Sequence, residues 1–326
     1  MDWFNHNHMP VEGRTILLTG GSEGTGFSAA RIFSSKGANV IIVSRNPIKL
    51  EEAIEALRAA AKCPRTQRFH TIEADVAEPN YAEGVVADAT AWNRGVPPEI
   101  VWCLAGIATP MLWTDDGAMK AARYNMDVNY FGSAELSRAM MRAWLLAEQE
   151  KKRYLIPDPR PPPKHIIFTG PITSTLVATA GHAPHAPSRF ALRALADALA
   201  METRLYPDLP MAVHLVLPHP AAAAAASYDE ARPHSTIAPP QIKGAETPQD
   251  PDDAARAAIA GIERGRYFVA TSWLGELVRW GAIGGSPRNS WVVDTLMGWV
   301  VPLVMAFWMW DLRAQVAAWN QKKKVL

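Results

Sequence analysis

Cysteine is scarce: Cys63 and Cys103 are the only two in 326 residues. They lie far apart and without CxxC spacing, which argues against a disulfide framework or a zinc site and fits a reducing compartment. No metal site is expected. Net charge is nearly absent as well. The 33 Lys and Arg residues face 32 Asp and Glu residues, leaving +1 at pH 7. Such a chain has no bulk basic field, so a nucleic-acid partner is not expected. The first twelve residues carry Asp2 and lack a basic start followed by an apolar stretch, so no secretory signal peptide is predicted there. There is no internal repeat. What the chain does have is 48% hydrophobic content, enough for a sizeable core in one large α/β domain with an appendage.

Apolar runs alternate with amphipathic segments. The pattern predicts strands at 15–19, 40–43, 68–73, 100–104, 165–169, 213–217 and 267–270. It predicts helices at 25–35, 47–61, 81–92, 118–148, 189–206 and 251–264. Near-continuous apolar strands alternating with helices point to a parallel, doubly wound α/β sheet of the Rossmann type. Two irregular stretches, 151–163 and 219–250, interrupt the alternation and read as surface insertions. The expected organisation is a tail at 1–12, a nucleotide-binding domain at 13–272, an amphipathic connector at 273–290, a membrane-associating segment at 291–312 and a basic tail at 313–326.

The run from Ile16 to Gly26 carries most of the functional signal. An apolar strand meets Thr19-Gly20-Gly21-Ser22-Glu23-Gly24-Thr25-Gly26, and a helix opens at about Thr25. Glycines let backbone approach a pyrophosphate, and a helix N-terminus offers unpaired N–H groups to it. Gly20, Ser22, Glu23, Gly24, Thr25 and Gly26 are therefore candidate dinucleotide-binding residues. The second strand ends Val43-Ser44-Arg45, with Lys49 one turn on and no acid to hold a free ribose hydroxyl. Two cations there favour a 2′-phosphate, hence NADPH; the alternative is that they are ordinary solvated charges at a helix start. Asp75-Val76 follows the third strand, where the aspartate either meets an adenine amino group or caps a helix.

These residues resemble the short-chain dehydrogenase/reductase family. The glycine loop looks like its TGxxxGxG motif, and Asp75-Val76, Leu104-Ala105-Gly106 and Met126-Asp127-Val128-Asn129-Tyr130 fall where its later motifs belong. More narrowly, the chain resembles the fungal 3-ketodihydrosphingosine reductases. That resemblance rests on the GxSxG of Gly20–Gly24, on Ser44-Arg45-Asn46 with Lys49-Leu50, on Asn129-Tyr130-Phe131-Gly132, and on Phe190-Ala191-Leu192-Arg193-Ala194-Leu195-Ala196-Asp197. It implies hydride transfer from NADPH to the C3 ketone of a long-chain 3-keto amino alcohol, in a domain facing the cytosol at the endoplasmic reticulum membrane. It also implies that copies could pair into a homo-oligomer through helices such as 118–148 and 189–206.

The catalytic pattern departs from that family. Its Tyr-x-x-x-Lys slot reads His185-Ala186-Pro187-Ser188-Arg189, its serine slot reads Thr169-Gly170-Pro171, and its fourth-strand Asn-Ala-Gly reads Leu104-Ala105-Gly106. Asn129 keeps its catalytic position. Pro218-His219-Pro220 and an alanine run stand where the family caps the nicotinamide. Two explanations remain open. In one, His185 replaces the tyrosine acid, Arg189 the lysine, and Thr169, Thr173 or Ser174 polarises the carbonyl. A fixed cation close by would then lower the His185 pKa. In the other, the chain binds NADPH and barely turns over. His182 is a further candidate acid in a loop. A third possibility keeps the chemistry and changes the ketone, to a sphinganine-like secondary metabolite.

One long apolar run exists, 291–310, with a single acid at Asp294 and several tryptophans. Its length suits a membrane and its tryptophans suit an interface; a dimer-interface helix is the alternative. Pro302 allows a kink, and Leu274, Leu277, Val278 and Ile283 suggest an amphipathic companion. The final Lys322-Lys323-Lys324-Val325-Leu326 resembles a dilysine retrieval signal, or is simply a solvated basic end. Tail and NADPH domain on one side would mean no net crossing, so a monotopic or hairpin insertion is expected.

Overall fold

A computed structural model describes residues 6–153, 162–219 and 249–323. Seven strands form one parallel sheet in the order β3-β2-β1-β4-β5-β6-β7. They are β1 (Thr15–Thr19), β2 (Asn39–Ser44), β3 (Phe69–Glu73), β4 (Ile100–Cys103), β5 (Lys164–Thr169), β6 (Met211–Leu217) and β7 (Phe268–Ala270). β1 and β4 are buried along their whole length, as strands covered on both faces must be. From β1 the chain builds outward to β3, then returns to add β4 on the other side. That reversal opens a crevice beyond the carboxyl ends of β1 and β4.

Helices cover both faces. On one lie α1 (Gly24–Ser35), α2 (Pro47–Ala59) and α8 (Pro251–Glu263), whose Phe33, Leu50, Leu57 and Ile259 pack with Ile16, Leu18, Ile42 and Trp102 of the sheet. On the other lie α3 (Tyr81–Trp92), α5 (Gly132–Arg153) and α7 (Ala186–Glu202), where Val85, Leu136, Met140, Trp144 and Leu192 meet Leu17, Val101, Ile166 and Phe168. Alternation of side chains along each strand assigns the two sets to opposite faces.

The expected Rossmann-type sheet and its seven strands are present. Three elements differ from the expectation. The helix expected at 118–148 is α4 (Ala118–Met126), a π-helical turn (Asp127–Phe131) and α5, because the Asn129 side chain is drawn onto the backbone of Ile107. The helix expected at 189–206 starts earlier, at Ala186 with Pro187 in its first turn, and ends in a 3-10 turn at Thr203–Leu205. Residues 8–11 are not a free tail: Met9 and Val11 are buried in the core, and the His8 N–H donates to the Glu263 carbonyl at 2.8 Å. A short helix, α6 (Ile172–Thr175), follows β5.

The connector contains α9 (Trp273–Ala282), with the Ser272 hydroxyl capping its N-terminus at Gly275. The apolar run forms α10 (Trp291–Lys323), which continues through Pro302 with no break at residue 312. Arg279 of α9 and Asp294 of α10 are both about 1% exposed and pair at 2.8 Å. Asp294 also accepts from Trp280 Nε1 and from the backbone of Asn289 and Ser290, so the one acid of the apolar run is fully engaged. Most of the 151–163 and 219–250 stretches, Pro220 with the alanines, and Lys324, Val325 and Leu326 lie outside the described residues.

Candidate active site

The glycine loop joins β1 directly to α1 at the crevice. Gly20 and Gly24 take positive φ, at 68° and 55°. Gly26, buried in the first turn, passes so close to the Gly20 carbonyl that any Cβ there would overlap it. The space beside Gly24 is open. No side chain caps α1 and no acid lies in its first turn, so its amide dipole end is left for an anion. The Thr19 hydroxyl accepts from the N–H groups of Leu104 and Ala105, tying the end of β4 to the loop. Thr25 follows Gly24, half-buried in the same turn.

The end of β2 gathers the charged candidates. Ser22 Oγ donates to Ser44 Oγ at 2.9 Å. Lys49 Nζ meets a Glu23 carboxylate oxygen at 2.5 Å. Arg45 Nη1 donates to the Tyr124 hydroxyl at 2.9 Å and lies 3.5 Å from Asp75 Oδ2. The other Asp75 oxygen accepts from the Ala77 N–H at 2.9 Å within a turn; it does not cap a helix, because α3 begins at Tyr81 with Asn80 at its N-cap. Val76 is buried and packs where Gly132 opens α5. Tyr124 was not foreseen; it comes from α4, and no spacing in the sequence links it to Arg45.

The catalytic candidates converge at the start of α7. Arg189 is buried, and its Nη1 donates to the Thr169 carbonyl at 2.9 Å. Its guanidinium fills the space that a side chain at residue 106 would take, so any larger residue there would have to displace Arg189. Asn129 is fully buried. Its Oδ1 accepts from the Ile107 N–H and its Nδ2 donates to the Ile107 carbonyl and, at 2.9 Å, to Ser188 Oγ. Ser188 in turn donates to the His185 carbonyl at 2.7 Å. The hydroxyl of Ser188 thus joins the π-helical turn to the start of α7.

His185 sits one helical turn before Arg189 and is about 1% exposed. Neither of its ring nitrogens has a hydrogen-bond partner among the described residues. Burial, with the charge of Arg189 and the proximity of His182, pushes its pKa down to about 3. The ring of His182, the other candidate acid, lies 6.0 Å away, and its pKa is also lowered by burial. His185 is thus a neutral imidazole at physiological pH, with hydrogen-bonding capacity to spare.

Thr169 does not turn its hydroxyl to that imidazole. Its Oγ1 accepts from Trp102 Nε1 at 2.8 Å, on the sheet face toward α1. Ser174 is buried and donates to the Pro171 carbonyl at 3.4 Å; the side chain of Thr173 lies outside the described residues. Thr175, the last residue of α6, is buried against Gly170, and its hydroxyl has no hydrogen-bond partner among the described residues. No group of three or more potential metal ligands occurs among the described residues.

Residues 14–230 match the family described as short chain dehydrogenase. The chain is 52% identical over 320 residues to the 3-ketodihydrosphingosine reductase gsl-3 of Neurospora crassa, covering 97% of this chain and 85% of that protein. It is 35% identical over 334 residues to the 3-ketodihydrosphingosine reductase ksrA of Aspergillus fumigatus, covering 99% and 89%. A crystal structure of a short chain dehydrogenase from Burkholderia cenocepacia, in complex with NADP, shares the fold with a TM-score of 0.61 at 20% identity, over 85% of this chain and 95% of that one. With the glycine loop, the switch-point crevice and the family match on the same residues, this chain belongs to the short chain dehydrogenase family.

Proposed function

We propose that this protein is an NADPH-dependent reductase of 3-ketodihydrosphingosine, acting at the endoplasmic reticulum membrane with its nucleotide domain in the cytosol. The observation that carries the reading is the 52% identity to the Neurospora crassa reductase over nearly the whole chain, the apolar helix included.

The residues present fit the cofactor. The open space beside Gly24, the uncapped start of α1 and the cations Arg45 and Lys49 suit a pyrophosphate and a 2′-phosphate. Asp75 and Val76 border the adenine position. When bound, NADPH supplies the hydride. The chain's own part is to orient the ketone and stabilise charge growing on its oxygen. His185 does so as a neutral imidazole N–H donor, the kind of electrophile that needs no imidazolium. Arg189, fixed against Thr169 and Gly106, adds positive charge on the same helix turn. Asn129 and Ser188 hold the start of α7 in place. The alkoxide takes the N–H proton of the neutral His185 ring, and the imidazolate left beside the Arg189 charge takes a proton back from water.

The membrane reading rests on α10. Trp291, Leu296, Trp299, Leu303, Phe307 and Trp310 are exposed on it, while Val301 is buried and Met305, Trp308 and Met309 pack against the core. A helix that left the domain to cross a bilayer would give up those contacts. The arrangement supports insertion of one face only, with the tryptophans at the interface.

The test is NADPH oxidation by the purified full chain in mixed micelles containing 3-ketodihydrosphingosine. Stoichiometric sphinganine is expected. NADPH binding without oxidation would identify a non-catalytic homologue instead, and faster turnover of a different long-chain ketone would move the substrate assignment. Truncation before Trp291 is expected to release the chain from membranes; a truncated chain that still sediments with them would overturn α10 as the anchor.

A further inference from the structure

Arg45 and Lys49 are not equivalent in this structure. Arg45 makes its short hydrogen bond to a neutral group, the Tyr124 hydroxyl at 2.9 Å, and its acidic neighbour Asp75 stands off at 3.5 Å. One oxygen of Asp75 is also committed to the Ala77 N–H. Lys49 is held differently. Its ammonium lies 2.5 Å from the Glu23 carboxylate, and this ion pair raises its pKa. Glu23 stands at the N-cap of α1 with extended backbone, and its side chain makes no cap hydrogen bond. It is therefore free to reach across to α2 and hold Lys49. The Ser22–Ser44 hydroxyl pair, 2.9 Å apart, ties the same glycine loop to the end of β2.

We infer that Glu23 is a specificity-determining residue that opposes the 2′-phosphate: it neutralises Lys49, leaves Arg45 as the main phosphate cation, and lowers the preference for NADPH over NADH below what the two cations would give. The inference rests on the NADPH reading above. A phosphate arriving at this pocket competes with the carboxylate for Lys49 and is repelled by it. NADH carries no such phosphate and is indifferent to the competition. Because both partners of the pair are largely exposed, the effect is modest and falls as salt screens it.

The experiment titrates the full chain with NADPH and with NADH, following nucleotide fluorescence, at low and at high salt. Glu23→Gln is expected to tighten NADPH about 2- to 5-fold relative to NADH at low salt, with the gain shrinking at 1 M salt. Lys49→Gln is expected to weaken NADPH more in the Glu23→Gln background than in the natural chain. Unchanged or weaker NADPH binding by Glu23→Gln, or equal effects on both nucleotides, would overturn the inference. The control Arg45→Asp separates the two levels. If that variant keeps the natural ratio of affinities, the NADPH reading itself fails. If it loses the ratio while Glu23→Gln has no effect, only the role of Glu23 fails.

Discussion

The glycine loop and the start of α7 border one crevice, yet they are built on opposite electrostatic terms. At the loop the charges are exposed, paired across elements, and open to exchange for a ligand: Lys49 with Glu23, Arg45 with Asp75 and Tyr124. At α7 they are buried. Arg189 is locked between Thr169 and Gly106, and His185 is kept neutral beside it. The first region can change partners at little cost. The second is preorganised, and a substitution there disturbs packing as well as charge.

The largest expected effect is at Gly26. Gly26→Val drives a side chain into the Gly20 carbonyl, backbone that cannot give way, and should abolish NADPH binding in a fluorescence titration. If binding survived, the loop would not be the nucleotide cradle. Next comes His185→Phe, which removes the donor and keeps the volume. Turnover should fall about 100- to 10,000-fold with NADPH affinity unchanged. Equal turnover would remove His185 from the chemistry. Third is Arg45→Asp, expected to weaken NADPH relative to NADH by about 10- to 100-fold, as loss of a charged hydrogen bond worth about 1.5–3 kcal/mol predicts.

Two smaller effects concern stability. Asp294→Ala removes one of the two carboxylates on the buried Arg279 guanidinium, leaving Glu276, and unpairs the Trp280 Nε1 donor and the Asn289 and Ser290 amides; it should cost about 1–3 kcal/mol, read as a lower melting temperature. The pH dependence follows from three buried histidines. His165, His185 and His214 are pushed down to about 2, 3 and 4, chiefly by burial. Each stays neutral in the folded chain and would charge near about 6.5 when unfolded. Below that pH the unfolded chain binds more protons. The stabilisation is therefore complete above about pH 6.5 and declines as the pH falls toward the folded-state values. The melting temperature should drop between pH 7 and pH 5; a flat profile would contradict the buried, neutral state of these side chains.

Much of the architecture was legible in the sequence because strands buried on both faces read as apolar runs, and because Thr19–Gly26 joins one of them to a helix. The candidate site was legible only where it is local. His185, Ser188 and Arg189 share one helical turn, so their spacing places them together. The Arg45–Tyr124 bond joins β2 to α4 across 79 positions, and nothing in either neighbourhood announces it. The π-helical turn at Asp127–Phe131 depends on Asn129 finding the backbone of Ile107, a tertiary contact. Thr169 looked like a carbonyl polariser by position, but strand alternation turns its hydroxyl to Trp102. Asp294 read as the single acid of an apolar run, and nothing in that run announced its partner Arg279, fifteen positions earlier, with which it is buried.

The central claim is that the exposed cations at the end of β2, with the loop before α1, hold a phosphorylated adenosine. Paired equilibrium titrations of the natural chain with NADPH and NADH test it most directly. Saturable binding of both is expected, with NADPH about 10-fold tighter or more; equal affinities, or neither fluorescence change nor thermal protection with NADPH, would contradict a phosphate site at these cations.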